Sequence, residues 1–281
     1  MSTENNREIL IVGVVNLTPD SFWSGSRMRF DEREALIAKV EEMLCAGAGM
    51  IDLGACSTRP GSFPPDVKTE WERLEGALRE ISRVFPRVPL SIDTFRSEIV
   101  RKAVDVAGEL TVNDISAGEA DPEMLPLVSS LGLRYVAMHH LGSPLPGPGG
   151  SAPSIHVPGE YPKGVTNAVV SYFEAFSRKA EELGIKEWML DPGFGFSKTV
   201  DDNWTLAAEL PALRRLSRPV YVGVSRKSML TRPLGITAEE ALGATSALHL
   251  ALLLGGADVL RVHDVVEAAR VVEVFKRLSC R

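Results

Sequence analysis

The feature that most constrains the fold of this chain is one unit that recurs from end to end. Each unit has a short apolar stretch, then a polar loop, then a segment with helical patterning. Eight apolar stretches are predicted as strands, at 10–15, 50–54, 88–92, 110–112, 134–138, 187–190, 219–224 and 258–260. Strands that alternate with helices pair in parallel, because a helical crossover returns the chain to the same edge of the sheet.

Eight strand–helix units in 281 residues predict a closed (β/α)8 barrel, the TIM-barrel fold of the α/β class. We expect a single domain over residues 1–281, with residues 1–7 as a disordered N-terminal tail. Helices are predicted at 31–46, 66–84, 97–106, 121–130, 165–183, 201–210, 237–254 and from 264 onward. The alternative is an open doubly wound sheet, which is disfavoured because no G-x-G-x-x-G turn follows the first strand.

Residues 141–162 interrupt this alternation. They contain six prolines and five glycines, so a helix is excluded and a long loop is predicted. No role follows from the sequence for this loop.

Composition limits the classes of partner. The net charge is −6, which argues against general nucleic-acid binding. The three cysteines have no paired spacing, so a disulfide framework is not expected and reduced thiols in the cytoplasm fit best. Residues 1–8 lack the apolar segment of a secretory signal, and the longest apolar run, 247–254, is too short to span a bilayer. We therefore expect a cytoplasmic protein without membrane or nucleic-acid partners.

Residues with recognition chemistry follow nearly every predicted strand. In chain order they are Asn16, Thr58 with Arg59, Asp93, Asn113, Met138, Asp191, Lys227, and Arg261 with His263. The carboxyl ends of the strands in a (β/α)8 barrel meet at one face, where such enzymes hold their active sites. The sequence therefore predicts one pocket built from these strand ends.

The polar residues fall into two chemical groups. The oxygens of Asp93, Asn113 and Asp191 suit the amino-imine edge of a fused heterocycle. Cationic Arg59, Arg261 and His263 suit a phosphate or pyrophosphate. Asn16 is a candidate ligand for Mg²⁺, which takes few protein ligands when substrate phosphates supply the others.

Several of these residues also have purely structural interpretations. Asp191 precedes the glycine-rich turn 192–197 and can be read as a helix cap, as can Asp93. His263 with Asp264 can be read as a helix-start pair. For the remaining residues the structural interpretations are a solvated charge for Lys227, loop surface for Lys198, pocket wall only for Met138, and an inert thiol for Cys56. The histidines at 139, 140, 156 and 249 lack metal-like pairing.

Seven short motifs, taken together and in order, resemble those of the dihydropteroate synthase family. They are Asn16-Leu-Thr-Pro-Asp-Ser-Phe22, Ser57-Thr-Arg-Pro-Gly61, Ile92-Asp-Thr94, Asn113-Asp-Ile115, Asp191-Pro-Gly-Phe-Gly-Phe196, Ser225-Arg-Lys-Ser228 and Arg261-Val-His-Asp264. The resemblance covers nearly the whole chain and implies a TIM-barrel enzyme of folate biosynthesis. The implied reaction joins para-aminobenzoate to 6-hydroxymethyl-7,8-dihydropterin pyrophosphate and releases pyrophosphate, with Mg²⁺ as cofactor.

The resemblance also implies a role for each matching residue. Pterin-binding positions are Asp93, Asn113, Met138, Asp191, Gly195 and Lys227. Pyrophosphate contacts are Asn16, Arg59, Arg261 and His263, with Asn16 on the metal side. Para-aminobenzoate positions, which are also the sulfonamide target, are Phe22, Thr58, Pro60, Phe196 and Ser228. Catalytic roles are implied for Arg59, Asp93, Lys227 and Arg261, and a homodimer packed through outer helices is expected.

The chain departs from the family pattern at two places. Cys56 stands where the family often has a glutamate, and His139-His140 with the long loop is not the commonest arrangement. We expect the loops after the first two strands to be mobile when empty and to close over the substrates. The competing hypotheses are a pterin-binding methyltransferase, which would not need the cationic strand ends, and a catalytically silent pterin- or folate-binding protein.

Overall fold

The computed structural model describes residues 7–17, 30–56 and 62–279. Its strands are β1 Leu10–Asn16, β2 Met50–Gly54, β3 Leu90–Asp93, β4 Thr111–Asp114, β5 Arg134–Met138, β6 Trp188–Asp191, β7 Tyr221–Val222 and β8 Val259–Val262. The helices of the described ranges are α1 Phe30–Cys45, α2 Val67–Val84, α3 Ser97–Ala107, α4 Met124–Leu131, α5 Val165–Leu183, α6 Val200–Ala208, α7 Ser228–Leu234, α8 Leu242–Leu254 and α9 Val265–Ser279. Strands and helices alternate as predicted.

The strands form one parallel sheet that closes on itself. The order is β6-β5-β4-β3-β2-β1-β8-β7, so β1 lies between β2 and β8. A parallel bridge between Leu190 and Val220 joins β6 to β7 and completes the ring. The predicted single-domain (β/α)8 barrel is therefore confirmed, and the open doubly wound sheet is excluded.

Side chains alternate between the two faces of each strand. Ile51, Leu53 and Leu260 belong to the large core that the strands share with the surrounding helices. Met50 and Val259 belong to a smaller cluster from β1, β2, β5, β7 and β8, inside the barrel. The intervening positions on β2 and β8, Asp52 and Arg261, consequently face the barrel interior above that cluster.

A third apolar cluster lies at the carboxyl ends of the strands. It contains Phe95, Ile115 and Phe196, which follow β3, β4 and β6, together with Met138 at the end of β5 and Ile155 from the long loop. This cluster covers the end of the barrel where the site residues are predicted.

The helix ends follow local sequence signals. Asp66 accepts a hydrogen bond from the amide of Thr69 at the start of α2. Thr199 and Asp202 form a reciprocal capping box at the start of α6. Gly184 ends α5 in the left-handed conformation, which carries no steric penalty for glycine.

The structure differs from the predicted elements in detail. Helix α7 was missed, because it is short and contains Pro233. Strand β7 is reduced to Tyr221–Val222. Thr237 and Glu240 make reciprocal hydrogen bonds at the predicted helix start, but regular α8 begins only at Leu242. The 141–162 segment is a long loop, as predicted, with 3₁₀ turns at Pro148–Gly150 and Ser154–His156.

Two further features concern the N-terminal segment and the character of the helices. Of the predicted N-terminal tail, only Arg7 is described, and its Nη2 donates to the carbonyl of Leu253 at 2.5 Å. Within the described residues, no helix has the length and apolar character needed to cross a membrane.

Candidate active site

The strand ends that carry the predicted site residues lie at one level of the barrel. Asn16 is paired in register with Gly54, Gly54 with Asp93, and Asp93 with Asn113. On the other side of the ring, Met138 is paired with Asp191. A side chain at Gly54 would contact the carboxylate of Asp93, so glycine leaves room for that group.

Arg261 joins the acidic residues in the barrel interior. Its Nε lies 2.7 Å from Oδ2 of Asp52, and its Nη2 lies 2.6 Å from Oδ2 of Asp93. Nδ2 of Asn113 donates to the same Asp52 oxygen at 3.3 Å. Asp52 therefore binds Asn113 and Arg261, and Arg261 in turn binds Asp93; we call these four residues the interior network.

Asp93 does not cap a helix. Its carboxylate accepts from Arg261, while the cap position of α3 is occupied by Arg96, whose side chain makes no capping bond. Asp114, the next acid along β4, has the opposite orientation. It accepts from Tyr135, Ser116 and Gly118 on the helix side of the sheet and so stabilises the turn after β4.

Asp191 and Lys227 form the other half of the pocket. Asp191 accepts from the amide of Gly193 at 2.8 Å, and the cap of α6 is Thr199, so the helix-cap interpretation of Asp191 is wrong. Nζ of Lys227 donates to the carbonyl of Phe194 at 2.6 Å. A Cβ on Gly195 would lie 3.3 Å from Cδ of Lys227, so the glycine allows the lysine to pass close to the turn.

Burial shifts the pKa values of the charged side chains in this pocket. It raises the pKa of Asp191, against the attraction of Lys227, and lowers the pKa of Lys227 to about 8, against the attraction of Asp191. Burial also raises the pKa of Asp93, although Arg261 opposes it. Burial alone would lower the pKa of Arg261, but Asp52 and Asp93 hold it above its ordinary value. Arg261 consequently stays cationic, whereas the lowered pKa of Lys227 lets this lysine lose its proton at mildly alkaline pH.

Phe196 is the aromatic wall of the pocket. The ammonium of Lys227 lies 4.9 Å from the centroid of its ring. The ring of His156, from the long loop, stacks on it at 4.8 Å with 25° between the planes. Met138 is fully buried in the same apolar cluster, so its contribution is a wall surface, as its structural interpretation proposed.

Comparison with known proteins identifies the family. A family model described as pterin binding enzyme matches residues 12–263. Dihydropteroate synthase of Synechocystis sp. is 33% identical over 271 residues, which cover 95% of this chain and 89% of that protein. The enzyme of Escherichia coli K12 is 34% identical over 273 residues, 94% of this chain and 90% of that protein. The chain belongs to the dihydropteroate synthase family.

A solved structure agrees with this assignment. The dihydropteroate synthase of Xanthomonas albilineans, whose structure contains 4-aminobenzoic acid, is 32% identical with a TM-score of 0.84 and covers 98% of this chain and 94% of its own. Members of the family are transferases, so the chain is an enzyme of that class.

Some predicted dihydropteroate synthase residues are not brought into the described pocket. Phe22, Thr58, Arg59 and Pro60 lie outside the described residues, as do the parts of the first two loops predicted to be mobile. His263 and Ser228 are described, and both are exposed at the rim. The side chain of Asp264 accepts two bonds from Arg226 at 2.7 and 2.9 Å, and this pair joins the loop after β7 to the end of β8.

Two residues of this dihydropteroate synthase pocket were missed from the sequence. Asp52 was assigned only to a strand, although a charged residue inside the apolar run 50–54 was an available signal. The loop-surface interpretation of Lys198 is wrong. It is buried, and its Nζ donates to the carbonyls of Gly193 and Phe196 and lies 3.0 Å from Nδ1 of His139.

The second loop is anchored at both edges of its undescribed part. Arg73 donates to the carbonyl of Ala55 at 3.2 Å, and Arg96 donates to the carbonyl of Pro65 at 2.6 Å. Arg96 also pairs with Glu70, which accepts from Thr94 at 2.6 Å. Burial raises the pKa of Cys56 to about 12, so this thiol stays protonated and is not a nucleophile.

Proposed function

We propose that this protein condenses para-aminobenzoate with 6-hydroxymethyl-7,8-dihydropterin pyrophosphate and releases pyrophosphate. The observation that carries the proposal is the interior network, which sets Asp93, Asn113 and Arg261 in one pocket facing Asp191 and Lys227. This pocket joins acceptors for a heterocycle with cations for a leaving anion. Family membership supports the same reaction.

The pterin is assigned to the acidic side of the pocket. Asp191 accepts from the amino-imine edge of the heterocycle, and Asn113 and Asp93 bind its other polar atoms. Lys227, which lies beside Asp191, donates to the pterin carbonyl while it is protonated. Gly195 leaves the space through which Lys227 reaches the ring.

The pyrophosphate is assigned to the cationic side. Nη1 of Arg261 makes no hydrogen bond with any described residue, while Nε and Nη2 are held by Asp52 and Asp93. One edge of the guanidinium is therefore fixed, and Nη1 is directed to the leaving group. His263, at the rim, and Arg59 complete the proposed set of pyrophosphate contacts.

Magnesium is proposed as the cofactor. The described residues contain no group of three or more His, Cys, Asp or Glu side chains arranged to hold a metal. Asn16 is half-buried at the end of β1, in register with Gly54 of β2, which in turn is in register with Asp93 of β3. An amide oxygen suits Mg²⁺ when phosphate oxygens supply the other ligands. The ion would neutralise charge on the departing pyrophosphate, and its removal with EDTA should slow turnover.

The second substrate is assigned to the wall formed by Phe196 and the rim at Ser228, with Phe22, Thr58 and Pro60 from the first two loops. The aromatic amine attacks the pterin methylene, the carbon–oxygen bond to pyrophosphate breaks, and the amine loses a proton to solvent. No strong general base is required, because the amine is neutral and nucleophilic. Positioning and charge stabilisation dominate the rate, and the acidic residues favour a cationic pterin as the leaving group departs.

The decisive experiment measures pyrophosphate release from pterin pyrophosphate with and without para-aminobenzoate. The proposal requires release that depends on the amine, together with formation of dihydropteroate. Binding of the pterin without release would identify a silent binding protein, and methyl transfer would identify the methyltransferase. Either result would refute the proposal.

We also propose that the enzyme is a cytoplasmic homodimer packed through outer helices. Exposed apolar residues on adjacent α8 and α9 support such a contact, namely Leu254, Val274 and Leu278. Sedimentation equilibrium should give twice the chain mass, and Leu254→Lys should shift the population toward the monomer.

A further inference from the structure

The long loop 141–162 is fixed to the turn that follows Asp191. The hydroxyl of Ser197 accepts from the amide of Leu141 at 2.7 Å and lies 3.1 Å from the carbonyl of Ile155. The carbonyl of Ser197 accepts from the amide of Gly159 and from the hydroxyl of Tyr161, each at 2.9 Å. One residue of the turn therefore holds the beginning, the middle and the end of the loop.

Ser197, which binds the 141–162 loop, has an unusual backbone conformation. Ser197 is fully buried and has a φ of +53°, a conformation that non-glycine residues rarely adopt. Such a conformation persists when the surrounding contacts impose it, and strained residues of this kind cluster at ligand sites. The hydrogen bonds with the loop are among the contacts that surround Ser197, so the loop helps to impose this conformation on the turn.

The middle of the loop contacts Phe196 directly. Ile155 is buried and packs in one cluster with Met138 and Phe196. The His156 ring stacks on the Phe196 ring at 4.8 Å, and Nδ1 of His156 lies 3.4 Å from the carbonyl of Gly195. His156 is thus held at both the side chain and the backbone of the same turn.

We propose that His156 is a positioning residue for the aromatic amine, acting through Phe196. This proposal rests on the proposed function, and it assigns the long loop to the para-aminobenzoate side of the site. The stacked imidazole restricts rotation of Phe196, so that the wall is set at one angle before the substrate arrives. A preset wall favours flat aromatic amines over substrates that need the ring to move.

The effect on the two substrates should differ. An offset stack of two rings is worth enough to change an affinity about two- to tenfold. His156→Ala removes the stack and should raise the KM for para-aminobenzoate by about that factor, while the KM for pterin pyrophosphate stays unchanged. Asp191, Asn113 and the interior network do not depend on the stack.

Two further substitutions separate stacking from bulk. His156→Phe keeps an aromatic ring and should restore the KM for para-aminobenzoate to the wild-type value. His156→Leu keeps most of the bulk without a flat ring and should behave like His156→Ala. Val157→Ala is the matched control, because Val157 is the next residue of the loop and is exposed.

The experiment is steady-state kinetics of pyrophosphate release for the wild type and these four variants, with thermal unfolding of each. Selective loss of amine affinity in the alanine and leucine variants, with rescue by phenylalanine, supports the proposal. An unchanged KM for the amine, an equal rise in both KM values, a similar rise in Val157→Ala, or failure of phenylalanine to rescue would overturn it. If the wild type releases no pyrophosphate, the proposed function fails and this proposal falls with it.

Discussion

Arg261 and Asp93 lie on strands that are separated by β1 and β2, yet Nη2 of the arginine is 2.6 Å from Oδ2 of the aspartate. The contact crosses the interior of the barrel. A cation assigned to the leaving pyrophosphate is thus held by an acid assigned to the pterin. Substitution of either residue should therefore disturb both halves of the proposed reaction.

Asp93→Asn tests this coupling. The amide keeps the size of the side chain but no longer pairs as a charge with Arg261. We expect kcat/KM to fall on the order of 100-fold, because a preorganised electrostatic contact is lost. Steady-state kinetics with each substrate varied in turn measures the effect, and Asp105→Asn, on the outer helix α3, should have no effect. A change of less than about threefold would remove Asp93 from the catalytic assignment.

Arg261→Met tests the stability of the interior network. Asp52 is fully buried, and its Oδ1 has no hydrogen-bond partner among the described residues, so Arg261 is its main compensating charge. Removing one partner of a buried pair costs about 3 kcal/mol or more. Asp52→Asn added to Arg261→Met should recover part of this loss, because a neutral amide replaces the uncompensated carboxylate. Urea unfolding of the single and double variants measures it, and strictly additive losses would contradict the interpretation.

The sequence was sufficient for the fold and for most of the strand-end residues. The regular alternation of units specified the barrel. Asp93, Asn113, Asp191 and Arg261 lie at the carboxyl ends of their strands and Lys227 lies in the loop after β7, at the face of the barrel where the strand ends meet. Local capping signals were less precise. The helix predicted from residue 237 has a capping box of Thr237 and Glu240, but α8 begins several residues later, because a capping bond alone does not determine where regular helix geometry starts.

Contacts between residues that are distant in the chain could not be predicted from the sequence. The contact between Asp52 and Arg261 depends on which face of β2 points into the barrel. An apolar run that contains one acidic residue does not show which face that is, because the neighbouring strands determine it. Lys198 has the composition of a surface residue, and only the approach of β5 to the turn after β6 buries it. The junction of Ser197 with the 141–162 loop has no local signature at all.

The buried Lys198 predicts an unusual dependence of stability on pH. Burial lowers its pKa from 10.5 to about 7, against the attraction of Asp191, and burial also lowers the pKa of the adjacent His139 to about 2. Between pH 7 and 10.5 the unfolded chain therefore binds more protons at this lysine than the folded chain does. Over that interval, the wild type should gain about 1.4 kcal/mol of unfolding free energy per pH unit relative to Lys198→Met.

Chemical denaturation of both proteins at several pH values between 7.5 and 9.5 measures this difference. Below the folded pKa, the lysine is protonated in both states, so the difference between the two proteins should become constant. Lys163→Met is the matched control, because Lys163 is exposed and its removal should leave the slope unchanged. Parallel pH curves for wild type and Lys198→Met would show that Lys198 is solvated.

The pKa of Lys227 predicts the alkaline limit of activity. Burial lowers that pKa to about 8, and the protonated form is the one that donates to the pterin. The fraction of competent enzyme should decline as pH rises through about 8, so that kcat/KM falls roughly tenfold per pH unit above it. Lys227→Arg keeps its proton over this range and should lose activity uniformly without that decline. Taking the ratio of wild-type to Lys227→Arg kcat/KM at each pH cancels the titration of the substrates. A ratio that stays flat from pH 7 to 10 would show that the charge on Lys227 is not required.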